Sequence, residues 1–341
     1  MRSRVVTIVG LFLLLAAALP TRAESPCADV CSTIPDADIL AYPAPVVQQL
    51  YPDDSMLYDR IYQKVLDAVD LYDAPNGSVV DRLDKGFTYI TVLSAIDGWI
   101  QIADGRWVQT ASLTAVLPSR FGGALLSDDA PYPIAWIVDN VLPSTEPGAE
   151  PPDSTLAILR YTLVNLYAAV EVDGWEWYQI GVDQWVEQRN IARILPVERA
   201  ADIDTDKWVS VDLYEQVAIA YEGSKPVFAT LVSSGLKDWP TNEGLFHVYV
   251  RYPRTLMHGA EGNPDFYYLQ EVPWTMYFDN DIGLHGTYWH DGFGYRHSHG
   301  CVNLSITDAL WLYNWASSEF DFTVSNDTGP AVYVYSSGTY R

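Results

Sequence analysis

Short stretches in which apolar and polar positions alternate recur along most of the chain. Val79-Val80-Asp81-Arg82-Leu83 and Phe87-Thr88-Tyr89-Ile90-Thr91-Val92 are early cases; Val209, Val211 and Leu213, then Val217, Ile219 and Tyr221, are later ones. A period of two marks strands that bury one face. Pro75-Asn76-Gly77, Asp97-Gly98 and Glu222-Gly223 divide the stretches and read as turns. One pattern occurs twice. Asp97-Gly98-Trp99-Ile100-Gln101-Ile102, followed by Gly105-Arg106-Trp107-Val108, returns as Asp173-Gly174-Trp175, Tyr178-Gln179-Ile180 and Gln184-Trp185-Val186. This predicts two small β modules, at 71–120 and 121–197, the second interrupted by Pro143, Pro147, Pro151 and Pro152. Apolar residues among acids before residue 70 predict a partly helical lead-in over 24–70. The pattern lapses into a linker at 198–206, and strands resume from Lys207 to the end. Helical spacing appears late: Ser305-Ile306-Thr307-Asp308 reads as a capping box, with Ala309, Leu312, Tyr313 and Ala316 on one face. The chain is expected to be mainly β.

Composition adds an address and excludes some partners. Arg2 and Arg4 precede an apolar run from Val5 to Leu19, then Thr21-Arg22-Ala23, the form of a secretory leader at 1–23. That run is short for a bilayer span of about 20 residues. The chain is therefore expected to be exported, extracellular or associated with the cell envelope. Its 20 Lys+Arg against 44 Asp+Glu, a net charge of −24, argue against nucleic acid, whose phosphates are bound by cations. With 12 Trp and 23 Tyr the chain has ample material for packed cores. Cys27 and Cys31 lie close together after the leader, where an oxidising compartment could pair them. Cys301 is left over, and an odd thiol in an exported chain is an interchain partner, an inert core residue or a nucleophile.

All six histidines lie beyond residue 240, which confines the candidate chemistry to the last part of the chain. Leu284-His285-Gly286-Thr287 is followed by Ser298-His299-Gly300-Cys301-Val302-Asn303-Leu304. A free thiol is ionised by only a few per cent at pH 7, so a cysteine nucleophile needs a base or a positive dipole nearby. His299 and His285, two and sixteen residues upstream, are candidate bases. A helix opening near Ser305 could add N–H groups that favour developing negative charge. Gly300 admits backbone shapes closed to other residues, and the N–H groups of Gly300 and Cys301 are candidate oxyanion donors.

The last 135 residues, 207–341, resemble the YkuD-type L,D-transpeptidases, whose signature is His-Gly followed after a spacer by Ser/Thr-His-Gly-Cys-x-Arg/Asn. Val232-Ser233-Ser234-Gly235 and Thr241-Asn242-Glu243-Gly244-Leu245-Phe246 resemble further family stretches, with Ser234 in place of Thr and Asn242 in place of Pro. Asn303 stands where Arg is commoner. The two repeated modules each resemble a bacterial SH3-like β-barrel, either a spacer or a binder of wall peptide or glycan. The resemblance implies a β-rich catalytic domain with a short helix after its cysteine. It implies Cys301 as nucleophile, His285 as its base, and the Gly286 carbonyl as the group orienting that imidazole. His299 would shape the loop, and Asn303 and Ser298 would hold the substrate. Tyr277 or Tyr288 would line the cleft. The implied partners are peptidoglycan stem peptides: a donor tetrapeptide and an acceptor amine joined by a 3→3 crosslink, with water as acceptor giving an L,D-carboxypeptidase. No cofactor is implied, and carbapenems would acylate the sulfur.

Rival readings come from other classes. His285, His290, His297, His299 and Cys301 are dense enough for a zinc hydrolase of wall peptides, although no His-Glu-x-x-His occurs and Asp291 is the only acid among them. A wall-binding protein without catalysis is the third reading. His290 and His297 fall outside the motif and are read as polar cleft or surface residues.

Overall fold

The computed structural model of the protein describes residues 34–317 and 329–339. The expected leader and the Cys27–Cys31 pair lie outside the described residues. The described chain is mainly β, as its alternation predicts, and no helix within it is long and apolar enough to cross a membrane.

Both Asp-Gly repeats form tight hairpin turns. Asp97 and Gly98 join the strands Phe87–Ile96 and Trp99–Ile102 with φ of 44° and 83°; Asp173 and Gly174 join Ala168–Val172 and Trp175–Gly181 with φ of 54° and 81°. Left-handed backbone at both central residues matches the right-handed strand twist, and Asp-Gly is the pair that tolerates it. In both copies the Trp-Val strand leads into a 3-10 turn, Thr110–Ser112 or Gln188–Asn190, and then a closing strand. The pairing repeats too. Ile61–Val65 pairs with Phe87–Ile96 and Leu113–Val116, just as Ile134–Ile137 pairs with Leu163–Asn165 and Ile191–Arg193. Leu71, Ile90, Ile102 and Val108 pack the first copy, and Ile137, Tyr178 and Val186 the second.

Two boundaries shift. The lead-in holds two short helices, Asp36–Ala41 and Asp54–Leu57, but Ile61–Val65 is already a strand of the first unit. Ala124–Leu125, expected within the second module, instead pairs with Lys225–Leu231 of the C-terminal unit.

A seven-stranded sheet forms the C-terminal unit's centre, with Ala331–Tyr335 parallel to Lys207–Asp212. Every residue of Lys207–Asp212 is buried. Val209 and Val211 pack with Ala309, Leu312 and Ala316 of the helix Ile306–Ser317 on one face. Trp208, Ile219 and Tyr221 pack with Ile134 and Trp136 of the second unit on the other. The alternation thus sorts residues between two cores rather than between core and water.

A second sheet runs without a break from the first unit into the C-terminal one. The hairpin Val250–Gly259/Tyr267–Asp279 lays its second strand parallel to Phe87–Ile96, pairing Tyr267 with Phe87 and Leu269 with Tyr89. Farther along, the same strand pairs Met276 with Leu284 of Ile282–Gly286. The N-terminal units are therefore built into the C-terminal one.

Candidate active site

The strand Ile282–Gly286 lies parallel to Val302–Leu304, with Leu284 opposite Val302, His285 opposite Asn303 and Gly286 opposite Leu304. Leu284, Val302 and Leu304 enter the core. Side chains alternate across a strand, so His285 and Asn303 face the other way. Both line a cleft of about 770 Å³ together with Cys301. A Cβ at Gly286 would meet Pro273 at 3.0 Å, so the strand after His285 packs as closely as glycine allows.

His285 is 2% exposed, and its Nδ1 lies 3.1 Å from the Gly286 carbonyl. A carbonyl only accepts, so the ring proton sits on Nδ1 and Nε2 keeps its lone pair. Burial pulls this imidazole down to about 4, partly opposed by that hydrogen bond. The Cys301 thiol donates to the Asp281 carbonyl at 3.5 Å. Burial pushes it up to about 11; the Gly283 N–H works against the rise and the Asp281 charge adds to it. At rest the two groups are a neutral thiol and a neutral imidazole.

Side-chain hydrogen bonds wind the cysteine loop. Ser298 Oγ donates to the Cys301 carbonyl and accepts the Gly300 N–H at 3.1 Å. Thr241 Oγ1 donates to the Gly300 carbonyl at 2.6 Å and accepts the Gly235 N–H at 2.9 Å. Gly300 has φ of +120°, which side-chain-bearing residues rarely adopt. Its N–H, expected as an oxyanion donor, is committed to Ser298 and is not one. The upstream stretches named from the sequence do converge here: Ser233 bridges to Asn303 and Gly235 to Ser298.

His299 is exposed at the rim, its ring 4.5 Å from Trp239 and 5.6 Å from Tyr267. Tyr277 lines the cleft. Tyr288 does not: it is fully buried, its ring 3.6 Å from Tyr62, and its hydroxyl donates to the Gln270 carbonyl at 2.7 Å. It supports the wall from behind. Sequence reasoning missed Phe87, Tyr267 and Trp289 in the lining. Phe87 and Tyr267 arrive through the pairing of the long hairpin with the first unit, which no local pattern encodes; Trp289 lies four residues past His285, and its closeness to His285-Gly286 was the one local signal.

The second unit, with Ser119 at the end of the first, pins the segment between the two motifs. Tyr161 donates to the Asp291 side chain and carbonyl, each at 2.9 Å, Ser119 also donates to Asp291, and Arg160 donates to the Phe293 carbonyl at 3.2 Å. The dense histidines do not converge on a point. His290 and His297 rings lie 4.1 Å apart, and among the described residues no three His, Cys, Asp or Glu side chains are arranged to hold a metal.

Residues 206–334 match the YkuD family, described as an L,D-transpeptidase catalytic domain. That segment is a YkuD L,D-transpeptidase catalytic domain. The putative L,D-transpeptidase YciB of Bacillus subtilis is 32% identical over 119 residues, which cover 31% of this chain and 59% of that protein. Among solved structures, an L,D-transpeptidase from Stackebrandtia nassauensis is 28% identical over 42% of this chain and 60% of that one, with a TM-score of 0.30. A cysteine-to-serine mutant of the Enterococcus faecium L,D-transpeptidase is 25% identical over 38% of this chain and 50% of that one, with a TM-score of 0.33.

Proposed function

We propose that the protein is an exported peptidoglycan L,D-transpeptidase that works through a Cys301 thioester. The observation that carries this reading is the placement of His285 and Cys301 on neighbouring parallel segments facing one cleft, with the His285 Nε2 lone pair uncommitted to the Gly286 carbonyl. Cys301 Sγ attacks the carbonyl at the L-centre of the third stem residue while His285 Nε2 takes the thiol proton. The C–N bond to D-alanine breaks, His285 returns the proton to the leaving amine, and a thioester remains. A side-chain amine of a second stem attacks the thioester, forming the 3→3 amide and releasing the thiol. The Cys301 N–H, next to the reacting carbon, serves the oxyanion in place of the committed Gly300 N–H.

The cleft suits an amine acceptor. Asp265 and Asp281 line it, and among the described residues no Lys or Arg does. The chemistry is complete in protein groups and uses no cofactor. A thiol that accepts an acyl group from an amide accepts one from a strained β-lactam too, so carbapenems acylate Cys301 in this reading. The repeated strand order, with its 3-10 turn before the closing strand, supports reading the two N-terminal units as SH3-like modules. The leader-like pattern expected at 1–23 supports reading the protein as exported to the envelope, where crosslinks of this kind would contribute to wall organisation and cell shape.

The test is mass spectrometry of muropeptides after incubating tetrapeptide-rich wall with wild type and with Cys301→Ala. New 3→3 dimers in wild type and none in the variant are expected. Dimers formed equally by the variant would discard the mechanism. Tripeptides alone in wild type would make the protein an L,D-carboxypeptidase.

A further inference from the structure

Two groups that both carry hydrogens face the ring nitrogens of His290. Gly292 N–H donates to Nδ1 at 2.9 Å, and the side-chain amide nitrogen of Asn303 lies 2.9 Å from Nε2. A neutral imidazole has one N–H and one lone pair. A backbone N–H only donates, so Nδ1 holds the lone pair and the ring proton sits on Nε2. That proton points at an amide nitrogen, which cannot accept it. On the same side chain, Asn303 Oδ1 is buried with no partner among the described residues. Asn303 itself is 2% exposed.

A half-turn of the Asn303 amide removes both faults, and nitrogen and oxygen of an amide are exchanged by such a turn. Oδ1 then accepts the His290 Nε2–H, and the NH2 group occupies the position where no donor reached the oxygen. A doubly protonated ring would set an N–H against the Gly292 N–H. Burial holds His290 down to about 2, with His297, His285 and Arg160 adding to the effect.

We propose that His290 is a positioning residue: as the Nε2–H tautomer it holds Asn303 Oδ1 and so locks the buried Asn303 amide, at the base of the cleft, in one orientation. Asn303 is in register with His285, two residues past Cys301, and lines the cleft, so the held amide stands beside the reacting pair. The proposal rests on the acyl-transfer reading for its consequence but not for its geometry.

The test uses the full mature chain labelled with 15N in histidine. Two-bond proton–nitrogen correlation at pH 6.5 (about the free imidazole value) reads each tautomer, and His290 is assigned as the signal missing from His290→Asn. A protonated Nε2 with a bare Nδ1 is expected; an Nδ1–H tautomer or an imidazolium overturns the proposal. The kinetic arm measures Cys301 acylation. His290→Asn keeps an acceptor for Gly292 but does not reach Asn303, and should lower kcat by about ten- to a hundredfold with little change in KM. His290→Gln restores a donor near Nε2 and should recover most of that loss. Equal losses in both variants, or none in either, count against it. If wild type forms no acyl-enzyme at all, the acyl-transfer reading fails, while the tautomer still decides the amide's orientation.

Discussion

Tyr62 and Tyr288 stack face to face, their ring centroids 3.6 Å apart and their planes 7° from parallel. Tyr62 stands on the strand Ile61–Val65 of the first N-terminal unit, and Tyr288 is three residues past His285. Both are essentially inaccessible to water, at 1% and 0% exposure. Tyr62 also accepts from Arg254 at 3.0 Å, and Arg254 pairs with Asp59. The N-terminal unit thus supports the wall that carries the candidate base.

Replacing Tyr62 by Ala removes the stack and leaves a cavity behind the site. Truncating a buried aromatic costs about 3–5 kcal/mol, so the Tyr62→Ala urea midpoint should fall accordingly, with acylation slowed in the fraction that stays folded. Tyr62→Phe keeps the stack and loses only the Arg254 contact, at about 1–2 kcal/mol. A Tyr62→Ala protein as stable and active as wild type would show that the unit is a passive neighbour.

The second unit is joined to the C-terminal one by Arg193 and Glu215. Glu215 Oε1 accepts from Arg193 Nε and Nη2 at 2.8 and 2.6 Å, and Oε2 accepts the Arg193 N–H at 2.7 Å. Their side chains are 17% and 4% exposed. Burial raises the Glu215 carboxyl and the Arg193 charge opposes that rise. Glu215→Gln leaves the Arg193 guanidinium with only the more exposed Glu176, 3.5 Å away, as counter-charge and should cost up to about 3 kcal/mol in denaturant unfolding. Arg193→Met with Glu215→Leu removes both charges and should cost less than the single change. The reverse order of stabilities would refute this account.

Much of the fold and the cysteine loop was legible in the chain. The Asp-Gly turns, the repeat and the helix after Ser305 follow from local chemistry, and Ser298, Gly300 and Cys301 lie close in sequence as they do in space. What could not be read is carried by contacts between distant segments. Tyr288 looked like cleft lining because nothing near it in sequence announces Tyr62. Gly300 looked like a free donor because the Ser298 hydroxyl that takes its N–H is equally able to point outward. Half of the expected capping box is present, with Ser305 Oγ accepting the Asp308 N–H at 3.1 Å. The acid itself turns inward, where Gly123 N–H reaches Oδ1 at 2.8 Å and Thr230 reaches Oδ2 at 2.7 Å.

That inward turn makes stability depend on pH. Burial pushes the Asp308 carboxyl up from 3.8 to about 6, although Thr230, Gly123 and Ser305 all favour its charge. A carboxyl with a raised folded pKa binds its proton more tightly when folded, so its contribution is complete below about pH 4 and is lost as pH rises through about 6. A shift of this size corresponds to about 3 kcal/mol. Asp308→Asn keeps an acceptor for Gly123 and cannot ionise. The difference in unfolding free energy between wild type and variant should change between pH 4 and 6.5 (roughly the span of the shift) and be flat above it. Parallel curves across that range would contradict the assignment.

The resting state of the candidate nucleophile gives the last prediction. With the thiol near 11 and the imidazole near 4, a proton transfer between them at neutral pH is uphill, so no thiolate–imidazolium pair is populated before substrate binds. With the thiol pushed up to about 11, only a small fraction of Cys301 is thiolate at pH 7. Cys301 is the only free cysteine among the described residues, so alkylation by iodoacetamide, located by peptide mass spectrometry, reports on it directly. Its rate should climb about tenfold per pH unit from pH 6 through 9, because only the thiolate reacts. His285→Ala should leave that slope in place while abolishing acyl transfer, since His285 acts once a carbonyl is in reach and not before. Acylation by a stem peptide should then show a solvent deuterium isotope effect, the proton moving as the S–C bond forms. A rate plateau from pH 5 to 8 would reveal a preformed ion pair, the behaviour of a thiol activated in advance by its neighbour, and would replace this sequence of events with thiolate attack alone.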